Sequence, residues 1–516
     1  MSKGISRRHF FFGTLLAGIV PRAGFGSVPS LKALGYQSPN EKMNIGAVGA
    51  GGRALGVLSS MDSENIVAMA DVDWERAADG FKLWEKSTKY KDYRRMLEKE
   101  KSIDAVTVII PDHMHAAVAL AAMQLGKHVY VEKPLTRTPW EARLLTDAAA
   151  KYKVATQMGN QGYSHDATRV AAEIIWSGEI GDVTEVHSFR GRASWPQGMQ
   201  TLPAAEKVPD TLDWDLWLGG SAMRPYTSGD DAYKKEYNSQ YGFYLPFNWR
   251  GFYDFGSSLI GDWGIHQLGP ANLALRLGSP TSVECIKQGE GRSPYTFPRG
   301  GVAIKWEFAA RGNMPAVTVY WSDTGDMYTP QGMTVDEMRA IPGTGPTIES
   351  PAGGRGRGGE GARGEGRGGG RGEGAAAAEG RGRGRGGPGG GQPQGSGYNT
   401  VYVGSKGYLG TGGRGESVGL LPGSRWAEYT LPPRMLTRSP GHQRDWIRAC
   451  KGGEPACSNF GVAGPYTEWM VLGAVATRVE GKLLWDPKRM EFTNNKEANK
   501  YVKPVFRKGW ELRPIT

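Results

Sequence analysis

Residues 43–54, MNIGAVGAGGRA, constrain what this chain can fold into more than any other stretch. An apolar run enters a cluster of glycines, and a helical pattern follows. This predicts a buried strand that turns into a helix at a glycine-rich corner. The spacing Gly49-x-Gly51-x-x-Ala54 fits the dinucleotide-binding pattern, whose last position takes Gly or Ala. Gly49 permits the tight turn, and Gly51, lacking Cβ, lets the backbone approach a pyrophosphate. Ala54 lets the helix pack close to the strand. Gly52 and Arg53 complete the loop, where the helix N-terminus offers unpaired N–H groups to phosphates. A second apolar run, residues 66–70, ends at Asp71, 20 residues after Gly51. A carboxylate there accepts hydrogen bonds from ribose hydroxyls and repels a 2′-phosphate, which favours NAD over NADP.

In a chain with 77 glycines the pattern alone decides little, and its context matters more. Helices are predicted over 74–84 and 91–101, the second with Tyr93, Met96 and Leu97 on one face. The β-branched run 105–110 reads as a buried parallel strand. It stops at Pro111 in the sequence Pro111-Asp112-His113-Met114-His115. Asp112 is a plausible N-cap for a helix over 116–125 that Gly126 closes. A short strand, 128–131, runs into Glu132-Lys133-Pro134. A helix over 139–152 and a strand over 154–158 follow, ending at Gly159-Asn160-Gln161. In open α/β sheets, ligands bind at the carboxyl ends of the strands. Three of these ends carry functional groups: His115, Glu132 with Lys133, and Gln161.

This series resembles the Gfo/Idh/MocA oxidoreductase family: a Rossmann start, a strand-end P-D-x-x-H, then E-K-P, then G-N-Q. The resemblance implies a nicotinamide near Pro111 and His115, with Lys133 between it and the substrate. It also implies a second α/β domain with a large, mostly antiparallel open sheet that binds substrate and contacts other subunits. The pattern after residue 160 agrees. A helix over 165–176 leads into alternating strand segments near 183–192, 282–286, 301–308 and 316–321. The expected organisation is a leader and linker over 1–40, a Rossmann domain over 41–160 and a substrate domain over 161–516.

Residues 210–255 are dense in aromatics. Most are expected to pack the core, while Trp249 and Arg250 are expected to reach a sugar substrate. Farther on, Gly261-Asp262-Trp263-Gly264-Ile265-His266 places Asp262 and His266 four apart, on one face if helical. Gly261 and Gly264 weaken a helix by about 1 kcal/mol each relative to Ala, which suggests that something approaches the backbone closely. By resemblance, this pair completes a triad with Lys133. Lys133 or His266 would take the hydroxyl proton, a nearby positive charge lowering the lysine's pKa. Asp262 would orient His266 or favour its charged form.

The net charge of +11 is concentrated in two segments. Residues 1–40 hold five Lys/Arg and no acid, and residues 351–398 hold eight Arg and four Glu. The remaining body is nearly neutral and gives no argument for nucleic acid, and the Glu residues within the Gly/Arg segment argue against RNA binding there. The segment at about 345–398 is Gly, Arg, Glu and Pro with almost no apolar side chains, and is expected to be disordered. Ser6-Arg7-Arg8-His9-Phe10, followed by a short apolar stretch, reads as a twin-arginine signal, too short for a membrane anchor. Three cysteines without zinc spacing give no metal site. The expected activity is hydride transfer between a sugar or glycoside and a tightly bound NAD in an exported, periplasmic homo-oligomer. A redox-neutral glycoside hydrolase using the same site, and a non-catalytic carbohydrate-binding protein, are the alternatives.

Overall fold

The computed structural model describes residues 41–236, 241–339, 346, 348 and 397–515. The predicted leader at 1–40, Tyr237 and residues 349–396 of the Gly/Arg-rich insert lie outside them.

The first half folds as a six-stranded parallel sheet. Its strands are β1 (Asn44–Val48), β2 (Asn65–Ala70), β3 (Thr88–Tyr90), β4 (Ala105–Val108), β5 (His128–Val131) and β6 (Thr156–Met158). Their order is β3-β2-β1-β4-β5-β6, with every neighbouring pair parallel. Strand order reverses between β1 and β4, and the crevice outside that point is where a doubly wound sheet binds ligands. β4 is buried at all four positions, as a strand covered on both faces requires. Helices Trp74–Leu83, Tyr93–Lys99, His115–Gln124 and Pro139–Tyr152 fall close to the predicted bounds. The last has a full capping box, in which Thr138 accepts from the Glu141 amide and Glu141 accepts from the Thr138 amide.

Asp112 departs from its predicted capping role. It sits in a 3₁₀ turn, Asp112–Met114, and the helix begins at His115 with no side-chain cap. The Asp112 carboxylate instead accepts from the Ser257 hydroxyl at 2.8 Å, tying this loop to the second half of the chain.

The second sheet has nine strands in the order β13-β12-β11-β7-β10-β9-β8-β14-β15. These are β7 (Val183–Phe189), β8 (Ser282–Glu290), β9 (Arg299–Phe308), β10 (Val317–Ser322), β11 (Thr400–Gly404), β12 (Gly407–Thr411), β13 (Val418–Leu421), β14 (Leu483–Asp486) and β15 (Glu491–Phe492). Only β7 and β10 pair in parallel, so the sheet is mixed but mostly antiparallel. The molecule is therefore α/β, a Rossmann sheet joined to a large second sheet. A long helix, Phe460–Ala476, is capped by Asn459. It packs along Pro139–Tyr152. A Cβ on Gly464 would lie 1.8 Å from Thr146 Oγ1, and Arg143 pairs with Glu468 at 2.8 Å.

Candidate active site

A cleft of about 970 Å³ runs along the carboxyl ends of β1, β2, β4 and β5. It is lined at one end by Asp71, Asp73 and Arg76, and at the other by Lys133, Asp262 and His266. Trp510, from the far end of the chain, also lines it. Arg507 holds this segment by hydrogen bonds to the Asp215 and Gly219 carbonyls, at 3.0 Å each.

The glycine corner divides its work differently from the expected scheme. Gly49 has φ +95° and lies so near β4 that a Cβ would fall 2.1 Å from the Ile109 carbonyl oxygen. A Cβ on Gly51 would lie 2.3 Å from the Arg76 carbonyl oxygen. Gly51 is thus small to admit the helix Trp74–Leu83, and it also lines the cleft. Gly51→Ala is expected to cost about 1–3 kcal/mol by overpacking, read as a drop in thermal midpoint. Gly52 is the open position, with φ +55°, and a Cβ there would meet nothing closer than the Arg76 guanidinium at 3.8 Å. Ala54, wholly buried, lets the helix Arg53–Ser59 sit against the sheet.

Asp71 pins the corner as well as bordering the cleft. Its carboxylate accepts from the Ala50 amide at 2.8 Å and the Asp73 amide at 3.0 Å. Burial pushes its pKa up, against the pull of those two amides. Each carboxylate oxygen keeps a lone pair for a ribose hydroxyl. The open Gly52 corner, the acid at the end of β2 and the adjoining cleft fit a dinucleotide. Bound there, it would supply a hydride acceptor or donor.

Around β5 the side chains interlock. Glu132 Oε1 accepts from Arg53 Nε and Nη2, both at 3.3 Å, and from Gln161 Nε2 at 3.2 Å. A Cβ on Gly159 would meet the Glu132 carboxyl at 2.8 Å, so that glycine makes room for the network. Pro111 and Gln161 both line the cleft. His115 does not. It is fully buried, with Nδ1 2.8 Å from the Pro134 carbonyl and Nε2 2.8 Å from the Ile110 carbonyl. Its expected place beside the nicotinamide is thereby corrected. The ring is spent on joining the two loops that form the cleft wall.

Lys133 reaches across to the second half of the chain. Its Nζ donates to Asp262 Oδ1 at 2.5 Å and to the Asp262 carbonyl at 2.8 Å. Arg250 Nε donates to the same Oδ1 at 3.0 Å. Burial alone would raise the Asp262 pKa, but the Lys133 ammonium and Arg250 guanidinium outweigh it and hold it well below the usual carboxylate range. The segment Ile260–Gly264 is a π-helical turn, not α-helix, and Ile265–Gln267 continues as α-helix. In the wider π turn, four-residue spacing no longer stacks side chains as an α-helix would. Asp262 is therefore taken up by Lys133 and Arg250, and among the described residues no hydrogen bond joins it to His266. The expected Asp262–His266 orientation is corrected accordingly. The close approach implied by Gly261 and Gly264 is present. A Cβ on Gly261 would meet Ser257 Oγ at 2.0 Å and Pro134 Cγ at 3.0 Å, and one on Gly264 would meet Met470 Cε at 2.8 Å.

His266 lines the cleft with Nδ1 buried and without a hydrogen-bond partner. Burial first, then the Lys133 and Arg414 charges, push its pKa well down; Asp262 opposes them and loses. The ring is held neutral, and the expected favouring of its charged form does not occur.

Trp249 and Arg250 both line the cleft, and the Arg250 guanidinium stacks 4.3 Å from the Trp249 and Phe247 ring centres. Asn248 turns inward and donates to the Gly242 carbonyl at 2.8 Å. Trp214, Phe243, Tyr244 and Phe252 join a buried aromatic cluster, so packing accounts for most of this aromatic stretch. Sequence reasoning missed Arg190, Trp263 and Arg414, which line the substrate end of the cleft. The one signal for Arg414 is its glycine-rich turn. Gly162 lacks a Cβ where the Arg414 carbonyl would lie 1.9 Å away.

A parallel sheet in Rossmann order, an acid at the end of β2 and a glycine corner define an NAD-binding domain, here built into a larger two-sheet molecule. Residues 43–160 match the family described as "Oxidoreductase family, NAD-binding Rossmann fold". Levoglucosan dehydrogenase of Pseudarthrobacter phenanthrenivorans is 30% identical over 24% of this chain and 30% of its own length. Inositol 2-dehydrogenase of Serratia proteamaculans is 24% identical over 48% of this chain and 81% of its own. Three curated relatives, levoglucosan dehydrogenase among them, are spanned over only 30%, 36% and 45% of their length. The fold is also that of the WlbA dehydrogenase from Bordetella pertussis, crystallised with NADH and UDP-GlcNAcA. The TM-score is 0.51 at 12% identity, over 86% of this chain and 99% of that one. No described helix is long and apolar enough to cross a membrane.

Proposed function

We propose that this protein is an exported oxidoreductase that moves a hydride between a sugar or glycoside and tightly bound NAD. The observation that carries the reading is the Lys133–Asp262 contact, which brings the E-K-P loop and the second half of the chain together in one cleft. Lys133 donates to Asp262 and is placed to hold a substrate hydroxyl oxygen. Neutral His266 takes the hydroxyl proton as the neighbouring C–H gives up its hydride, and Asp262 keeps Lys133 and Arg250 in position. Asp71 supports NAD over NADP. The twin-arginine motif supports export of an already folded, loaded protein to the periplasm. The broad second sheet offers a face for another copy of the chain.

The first experiment is mass spectrometry of nucleotide released when the purified mature protein is denatured. One NAD per chain is the expected result. Absence of nucleotide, together with no binding in an NAD titration, would overturn the reading. Turnover of a glycoside that needs no electron acceptor and ends in hydrolysis would move the function to the redox-neutral alternative.

A further inference from the structure

At the substrate end of the cleft lies a positive charge that nothing among the described residues answers. Arg190 follows β7 and is 6% exposed, yet none of the ion pairs among the described residues includes it. Its Nε and Nη1 have no hydrogen-bond partner. Its guanidinium lies 3.2 Å from the Trp263 ring centre. The nearest carboxylate in the electrostatic balance, Asp262, is already held by Lys133 and Arg250. Burial brings the Arg190 pKa down to about 10, so it stays charged at neutral pH.

Arg414 approaches the same ring. It stands on the turn between β12 and β13, exposed, 4.9 Å from the Trp263 centre. Glu416 accepts from the Arg414 backbone amide at 2.5 Å and is itself exposed. Glu132 is paired with Arg53. Asp112 is buried against Ser257, and burial favours its neutral form. This end of the cleft therefore gathers Lys133, Arg250, Arg190 and Arg414 around the single carboxylate of Asp262. A buried, unpaired cation is unfavourable unless a counter-charge arrives. A neutral sugar would leave the excess unbalanced.

We propose that Arg190 and Arg414, ordered on Trp263, form a subsite for the carboxylate of a sugar-acid substrate, beside the Lys133, Asp262 and His266 centre. Trp263 adjoins Asp262 in the chain and shares its π turn, which puts the acid group next to the reacting carbon. Arginine is the side chain suited to this task, because its planar guanidinium makes charge-assisted, directional bonds to a carboxylate. The inference rests on the sugar-oxidoreductase reading for its substrate, though not for the existence of the anion site.

The test compares a hexuronate, the matching neutral hexose and the hexose 6-phosphate on the NAD-loaded protein, with calorimetric binding measured alongside turnover. The hexuronate is expected to show a KM at least tenfold below that of the hexose. Arg190→Gln is expected to raise the hexuronate KM and Kd roughly 10–100-fold and those of the hexose by a clearly smaller factor, so that the preference for the acid is lost. Arg414→Gln should act in the same direction with a smaller effect. The ligand-free thermal midpoint of Arg190→Gln should hold or rise, because an unpaired buried charge has been removed, and hexuronate should stabilise the wild type but not this variant. Equal use of hexuronate and hexose, an equal loss for both in Arg190→Gln, or preference for the phosphate would each overturn the proposal. Arg190-dependent binding of hexuronate without turnover of any sugar would overturn the oxidoreductase reading and leave the subsite supported.

Discussion

Replacing Asp262 by alanine is expected to lower the unfolding free energy by about 3–5 kcal/mol, the range for removing one partner of a buried ion pair. The carboxylate is buried and shared between Lys133 and Arg250. Without it, Lys133 and Arg250 are left beside Arg190 with no shared carboxylate. Urea denaturation of wild type and variant measures the difference, and a loss below about 1 kcal/mol would mean that the cations find other partners. The pH dependence has a definite sign. Because the folded-state pKa of Asp262 lies below the ordinary aspartate value of 3.8, its contribution is complete above that value and fades only in stronger acid. The wild-type advantage should therefore be constant from neutral pH to about pH 5 and shrink below about pH 4. Turnover should be lost as well, since Lys133 is no longer held.

Lys133→Ala should separate the two effects. Asp262 retains Arg250, so the stability loss is smaller, while turnover falls by roughly 10²–10⁴-fold, the usual contribution of a group that works on a proton or hydroxyl in the transition state. NADH absorbance under saturating sugar reads this directly, and unchanged turnover would sink the assignment of Lys133. Groups that act as a unit are not additive, so the Lys133→Ala/Asp262→Ala double variant should lose little more turnover than Lys133→Ala alone. Its stability should exceed that of Asp262→Ala, because one unpaired cation has gone.

The contrast between what the sequence made legible and what it hid follows from how local each feature is. The corner at Gly49–Arg53 and the acid at Asp71 lie within one strand–helix–strand unit, where spacing dictates geometry, so both were readable. Even there, the tightness that excludes a side chain at Gly51 comes from Arg76 in the next helix, and spacing alone suggested only a phosphate. His115 sits where a strand-end histidine should face the ligand. The intervening 3₁₀ turn rotates it inward, and two carbonyl oxygens claim its nitrogens. Asp262 and His266 were paired on α-helical periodicity that the π turn breaks. Lys133 and Asp262, 129 residues apart, met in the expectation only through family resemblance. Arg190 was invisible, because a chain with 63 Lys and Arg gives no way to tell a solvated arginine from one enclosed by the fold.

The cleft takes its walls from Val48 near one end of the described chain to Trp510 near the other. A ribosome that has delivered the whole Rossmann sheet has still delivered only part of this binding site. Arg414 and Trp510 arrive hundreds of residues later, as does Arg507 with its bonds to Asp215 and Gly219. The complete pocket therefore exists only once the chain up to Trp510 has been made.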